Sequence, residues 1–225
     1  MIEVHHLENS RSQRVIWLLE ELAADYEVIT YQRDPKTMLA PESLKQVHPL
    51  GKSPVIVDTD REGEVVAESG AIIEYLLERF DDDRLLPSSG TPERRRYRFW
   101  LHHAEGSAMP PLVMSLVFSR LDKPPVPALI RPIARLLANG VKAKFLDPQI
   151  RDLLAFWESE CGEHAWLAGE AFSAADIQMS FPLLALEGQG RLGDYPRLTD
   201  LLSRMRERQA YQRAVAKGGE FSMSE

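Results

Sequence analysis

Gly51-Lys52-Ser53-Pro54-Val55-Ile56-Val57-Asp58, followed after a short gap by Glu68-Ser69-Gly70-Ala71-Ile72-Ile73-Glu74-Tyr75-Leu76, decides how this chain folds. The first stretch enters an apolar strand through a proline. Proline has no N–H and a fixed φ, so it marks a special turn at the strand start, and the Ser53–Pro54 bond is a candidate for cis geometry. The second stretch opens a helix with an acid and a hydroxyl. The first N–H groups of a helix have no intrahelical acceptor and attract a carboxylate. Together the two stretches describe a place for a small, peptide-like, anionic ligand.

Working outward, residues 2–7 alternate loosely as a strand and Asn9-Ser10-Arg11-Ser12 is a polar break. Val15, Ile16, Leu18, Leu19 and Leu22 carry helical spacing over 13–24. Ser10 or Ser12 can cap that helix. Tyr26 to Tyr31 is β-rich and alternating, a second strand. A β-α-β unit of this length predicts a parallel pair with a right-handed crossover. A short helical piece over 41–47, strands at 55–57 and 64–67 and a helix over 69–80 follow. The order β-α-β-α-β-β-α is that of a thioredoxin-like domain over 1–82. Residues 81–92 form a polar linker with Pro87, Gly90 and Pro92, the best domain boundary.

Residues 91–225 read as all-helical. A long helix is expected from Thr91 to about Gly106, then a kink or break at Pro110-Pro111. Leu121 to Pro132, with four prolines, reads as a mobile loop or broken helix. Further helices are expected over 150–161, 172–186 and 196–216. Ser173-Ala174-Ala175-Asp176 has the spacing of a capping box, a folding device.

Composition narrows the function. With 225 residues, 44% hydrophobic and 27% charged, the chain is an ordinary globular protein of one large or two smaller domains. A net charge of −7 argues against nucleic acid as a partner. No apolar run reaches 18 residues, so no membrane span is expected. Met1-Ile2-Glu3-Val4 begins as a strand, so no signal peptide is expected and the cytoplasm is the expected compartment. A single cysteine, Cys161, excludes an internal disulfide framework or a CxxC pair and reads as a packing or surface residue. His5 and His6, like His102 and His103, are adjacent pairs without metal-ligand spacing, so no metal is expected.

The Gly-Lys-Ser-Pro turn, Glu-Ser-x-Ala-Ile-x-x-Tyr-Leu and the capping box, in this order, resemble the glutathione transferase superfamily over nearly the whole chain. The opening Leu7 to Arg14, with Trp17 to Leu22, is most similar to a serine-type bacterial and fungal branch. The resemblance implies a thioredoxin-like domain followed by an all-α domain, and an enzyme that conjugates the glutathione thiolate to small hydrophobic electrophiles. Peroxide or disulfide reduction with glutathione is compatible with the same site. A non-catalytic regulatory or interaction protein on the same fold is the alternative. The family also implies a homodimer and a detoxifying role.

The resemblance assigns roles residue by residue. A free thiol has a pKa of roughly 8.5 and must become thiolate at neutral pH. Ser10, four positions before Arg14, is the leading donor to sulfur, with Asn9 and Ser12 as competitors; the loop holds no tyrosine or cysteine. The backbone of Ser53, before Pro54, pairs with the cysteinyl unit. Lys52 approaches the glycine carboxylate. Glu68 faces the γ-glutamyl ammonium and Ser69 its α-carboxylate. Glu105 reaches the ligand of a partner subunit. The face Tyr97, Trp100, Leu101, His103, Ala104, Ser107 and Ala108 and the segment Pro110 to Phe118 are the candidates for an apolar wall, most of it weighed as core. Met109, Met114 and Phe118 are the candidates for the electrophile pocket.

Overall fold

The computed structural model describes residues 1–35, 37–81 and 83–221. Asp82, the expected end of the first domain, and residues 222–225 lie outside the described residues. The first half holds β1 (Ile2–Leu7), α1 (Gln13–Leu22), β2 (Tyr26–Tyr31), a 3-10 turn (Glu42–Gln46), β3 (Val55–Asp58), β4 (Glu64–Ala67) and α2 (Ser69–Phe80). The sheet order is β2-β1-β3-β4. β1 pairs parallel with β2, Ile2 opposite Tyr26, and antiparallel with β3, Ile2 opposite Asp58. The parallel pair follows from the crossover through α1, and the antiparallel β3–β4 pair from the tight turn at 58–64. This is the thioredoxin-like arrangement expected from the element order.

α1 is buried almost all round, including the polar Gln13, Arg14 and Glu20. It lies between the sheet and the helices of the second half, so no face is left to solvent. Glu20 accepts from Tyr26 Oη at 2.5 Å and from Arg213 Nε at 2.5 Å, and pairs with Lys217 Nζ at 2.7 Å. Burial alone would raise its pKa; Lys217, Tyr26 and Arg213 outweigh it and hold the carboxyl down at about 2.

The second half runs α3 (Pro92–His103), a π-helical turn (Ala104–Ala108), α4 (Met109–Ser119), a 3-10 turn (Ala128–Ile130), α5 (Arg131–Val141), a second π turn (Lys142–Leu146), α6 (Asp147–Glu160), α7 (Ala174–Gly188), α8 (Pro196–Glu207) and α9 (Gln209–Gly218). Pro110 and Pro111 do not break the first long helix. They stand in the opening turn of α4, where the π turn before them relieves the clash of a proline ring with the carbonyl four residues back. The expected terminal helix is two helices, divided at Arg208, whose ψ of 128° ends α8 and starts α9. The proline-rich stretch ends in α5, which holds Pro132 in its first turn. Among the described residues no helix is long and apolar enough to cross a membrane.

α7 forms the axis of the second half, with Ile177, Leu183 and Leu186 fully enclosed. The capping box at its start is present. Asp176 accepts the N–H and hydroxyl of Ser173 at 2.9 and 3.0 Å, and the N–H of Leu167 at 2.9 Å. The linker is packed rather than loose. Asp81 accepts the N–H of Leu85, and Leu85 is buried and takes the N–H of Ala174 on its carbonyl. Burial, reinforced by the negative charges of Asp176 and Glu158, pushes the Cys161 thiol up to about 12, the state of an inert packing cysteine.

Because the Glu20 carboxyl is depressed in the folded chain, its stabilisation is complete above the unfolded pKa near 4.3 and is lost as pH falls toward 2. Glu20→Gln should lower stability at pH 7 by about 1–2 kcal/mol, a figure reduced because Arg213 and Lys217 are half exposed. Urea denaturation at a series of pH values should show a flatter acid limb in the variant between pH 4.5 and 2. Parallel limbs would mean the cluster does not join α1 to α9.

Candidate functional site

The Ser53–Pro54 bond is cis. The Ser53 hydroxyl donates to the His5 carbonyl at 2.8 Å and accepts the Leu7 N–H at 3.2 Å, extending the edge of β1 by a side chain. Among the described residues the Ser53 backbone N–H and C=O have no protein partner. Gly51, two residues before it, has φ +58°, and a Cβ there would lie 2.6 Å from Lys45 Cγ, so the turn favours glycine. Lys52 is exposed beside it.

Across the sheet end, Glu68 precedes α2 with φ 72° and ψ 127°. A non-glycine residue held there costs about 1–3 kcal/mol, and such outliers gather at ligand clamps. Glu68 is exposed, and its carbonyl starts the helix by accepting the Ile72 N–H at 2.9 Å.

Behind Ser69 lies Arg14, only 2% exposed. Its guanidinium donates to Ser69 Oγ at 3.1 Å, to the Gln178 carbonyl of α7 at 2.7 Å and to Glu105 Oε1 at 2.6 Å. One side chain therefore joins α1, the start of α2, the first π turn and α7. Burial lowers the Arg14 pKa, and Glu105 opposes that. Burial would raise the Glu105 pKa, but Arg14 and Arg11 hold it below the usual carboxylate range. Arg11 Nε also reaches both Glu105 oxygens at 3.1–3.2 Å. The carboxylate expected to serve a partner subunit is thus engaged within its own chain, and the π turn aims it inward.

Ser10 points into the protein. His6 Nε2 faces the Gly218 carbonyl at 2.8 Å; a carbonyl only accepts, so Nε2 carries the hydrogen. Burial lowers the His6 pKa, so the ring is neutral and its Nδ1 accepts from Ser12 Oγ at 2.8 Å. Ser12 Oγ, its hydrogen used, accepts from Ser10 Oγ at 2.8 Å. The Ser10 proton is committed to this relay.

Asn9, at φ 54°, faces a cleft of about 340 Å³ between the two halves. One wall is Met109, Leu112, Val113, Leu116 and Val117 of α4; Phe181 and Phe221 close the far side, their rings 4.7 Å apart. Arg11, Arg33 and Arg120 supply the charge. Met114 and Phe118 do not line the cleft, whereas Tyr97, Trp100 and Leu101 are core.

A strained acid beside a helix N-terminus, a cis-proline turn and an apolar cleft between the halves are the setting in which the comparisons with known proteins fall. Residues 1–78 match the glutathione S-transferase N-terminal domain family and residues 114–209 its C-terminal domain family. Glutathione S-transferase 1 of Saccharomyces cerevisiae is 33% identical over 231 residues, covering 98% of each chain. The chain belongs to the glutathione S-transferase family. Glutathione S-transferase 3 of Schizosaccharomyces pombe is 37% identical over 83% of this chain and 75% of its own. The crystal structure of a glutathione S-transferase from Actinobacillus pleuropneumoniae superposes with a TM-score of 0.82 at 32% identity, over 100% of this chain and 97% of that one.

In this transferase Arg14 brings Ser69 and Glu105 together and the Ser53 hydroxyl ties the cis-proline turn to β1, while Asn9 lines the cleft, which Lys52, Ser53, Glu68 and Ser69 do not. The sequence reading placed an apolar wall over Pro110 to Phe118, which holds Leu112, Val113, Leu116 and Val117, but missed the cleft arginines. The wall has a legible signal: 109, 112, 113, 116, 117 and 120 form a helical stripe from Met109. The arginines have none, since each resembles a solvated surface charge until the two halves meet.

Glu105→Ala should cost about 3–5 kcal/mol, because it strands the buried Arg14 cation. Arg11→Ala, which removes the more exposed partner of the same carboxylate, should cost under about 1 kcal/mol. Equal losses in equilibrium urea denaturation would show that Arg14 does not depend on Glu105.

Proposed function

We propose that this transferase conjugates the glutathione thiolate to small hydrophobic electrophiles bound in the cleft. The reading rests on one observation above all, the 3.1 Å contact from Arg14 Nη2 to Ser69 Oγ. Arginine has no acceptor, so Ser69 must accept and its own hydroxyl hydrogen remains for a ligand. That hydrogen, with the first N–H groups of α2, suits the α-carboxylate of the γ-glutamyl unit. Glu68 takes the ammonium, and its strained backbone aims this clamp. The Ser53 backbone pairs with the cysteinyl unit as an added strand would, its side chain being used by β1. Lys52 takes the glycine carboxylate.

For the thiol, the reading favours the Asn9 amide over the Ser10 hydroxyl. Asn9 lines the cleft, while the Ser10 proton is spent on Ser12. Arg11 and the N-terminus of α1 add positive potential, and lowering the thiol pKa by one requires about 1.4 kcal/mol of preference for the anion. The thiolate then attacks the electrophilic carbon, the C–S bond forms, and the leaving group departs with its bonding pair. Peroxide or disulfide reduction would use the same bound thiolate. The reading also keeps a homodimer, supported by the exposed neighbours Phe99 and Phe156, and detoxification in the cytoplasm as the setting.

Two variant sets test this. Ser69→Ala should weaken glutathione binding by about 1–3 kcal/mol in calorimetry, leaving a carboxylate under-paired. An unchanged affinity would move the binding site elsewhere.

Asn9→Ala should leave that affinity nearly intact. Its pH–rate profile for conjugation of an aryl halide should move to higher pH, and the rate at neutrality should fall by about tenfold if the thiol pKa rises by one. If Ser10→Ala moves the profile and Asn9→Ala does not, the hydroxyl is the activator.

A further inference from the structure

The cleft has an asymmetry that a plain hydrophobic pocket does not need. Its walls are apolar, yet three guanidiniums line it and, among the described residues, no Asp or Glu does. Arg11 is bound to Glu105, a carboxylate it shares with Arg14. Among the described residues Arg33 is bound to neutral acceptors, the carbonyls of Met38 at 3.1 Å and Asn9 at 3.2 Å. Arg120, the last residue of the α4 stripe, has no acid partner among the described residues. Among the described residues, the three guanidiniums of the cleft thus hold one carboxylate between them, which the buried Arg14 also shares, in a chain whose net charge is −7. Burial, and then the like charge of Arg11 on the same cleft, lowers the Arg33 pKa.

We infer that the second substrate is an amphipathic anion: an apolar body against the α4 stripe, with a carboxylate held by Arg33 and Arg120 at the cleft mouth. A guanidinium donates to a carboxylate through paired N–H groups, and does so most strongly where apolar walls exclude water. Lys52, Ser53, Glu68 and Ser69, the residues proposed for glutathione, do not line this cleft, so the tripeptide's own carboxylates do not account for the arginines. The inference rests on the transferase reading only for its chemistry. The preference for an anion is a property of the cleft itself.

The test is therefore equilibrium binding without turnover. Naphthalene-2-carboxylate and naphthalene-2-carboxamide share one apolar body and differ in charge. Calorimetry on the intact protein at low salt should give about tenfold tighter binding of the carboxylate. Arg120→Gln, at an exposed position, should narrow the gap to about threefold, and Arg33→Gln with Arg120→Gln should abolish it. Arg120→Lys should retain part of it, and added salt should weaken it in the wild type. Glutathione affinity should not change in Arg120→Gln. Equal affinity for the two probes, binding of neither, or a preference that survives the double variant overturns the inference. A parallel loss of glutathione affinity also overturns it, and leaves the transferase reading standing. If glutathione does not bind but the carboxylate preference and its loss are seen, the transferase reading falls and the anion-accepting cleft remains.

Discussion

A buried arginine must find acceptors for its donors and an anion for its charge, and the whole site is arranged around how Arg14 does this. Its partners come from three places far apart in sequence: Ser69, Glu105 and Gln178. Removing a cation from water costs several kcal/mol, which close, hydrogen-bonded geometry must offset. That requirement fixes the two halves of the molecule against each other. It also fixes the hydrogen-bond direction at Ser69, since the guanidinium can only donate. Fold and chemistry meet in this side chain.

The loop after β1 is held from both sides. Arg14 and Arg11 anchor its helical end to Glu105, while the relay Ser10–Ser12–His6 ties its start to the Gly218 carbonyl at the end of α9. α9 is in turn bound to α1 through Glu20. Asn9, between these anchors, is left at a positive φ on the cleft side. Charge follows the same plan. Arg11, Arg33 and Arg120 stand at the cleft, beside the position proposed for the thiolate.

Local patterns carried the first domain in the sequence. Strand alternation and one crossover helix predict a parallel pair of the first two strands in a thioredoxin-like domain, and the structure has it. The helical half was legible as helix but not in its joints. Pro110-Pro111 reads as a break because the rule for prolines assumes an α-helix ahead of them; a π turn changes the spacing. Arg208 carries no breaker signal at all, since a Ramachandran switch at an arginine is set by packing. At the site, Ser69 and Glu68 were legible from helix-start chemistry. The inward turn of Ser10 was not, because it depends on His6 and on a carbonyl some two hundred residues away. Glu105 looks like an outward-facing acid in the sequence for the same reason: Arg14 reaches it only once the halves have closed.

The central claim is that Arg14 prepares Ser69 as a donor to the ligand. A double-mutant cycle on Arg14→Lys and Ser69→Ala, read as glutathione affinity by calorimetry, tests it most directly. Lysine keeps the charge near Glu105 but cannot serve all three acceptors at once. The account predicts a coupling of about 1 kcal/mol or more, with the double variant little worse than Ser69→Ala alone. Losses that add within about 0.3 kcal/mol would contradict it, because the two residues would then act on the ligand independently.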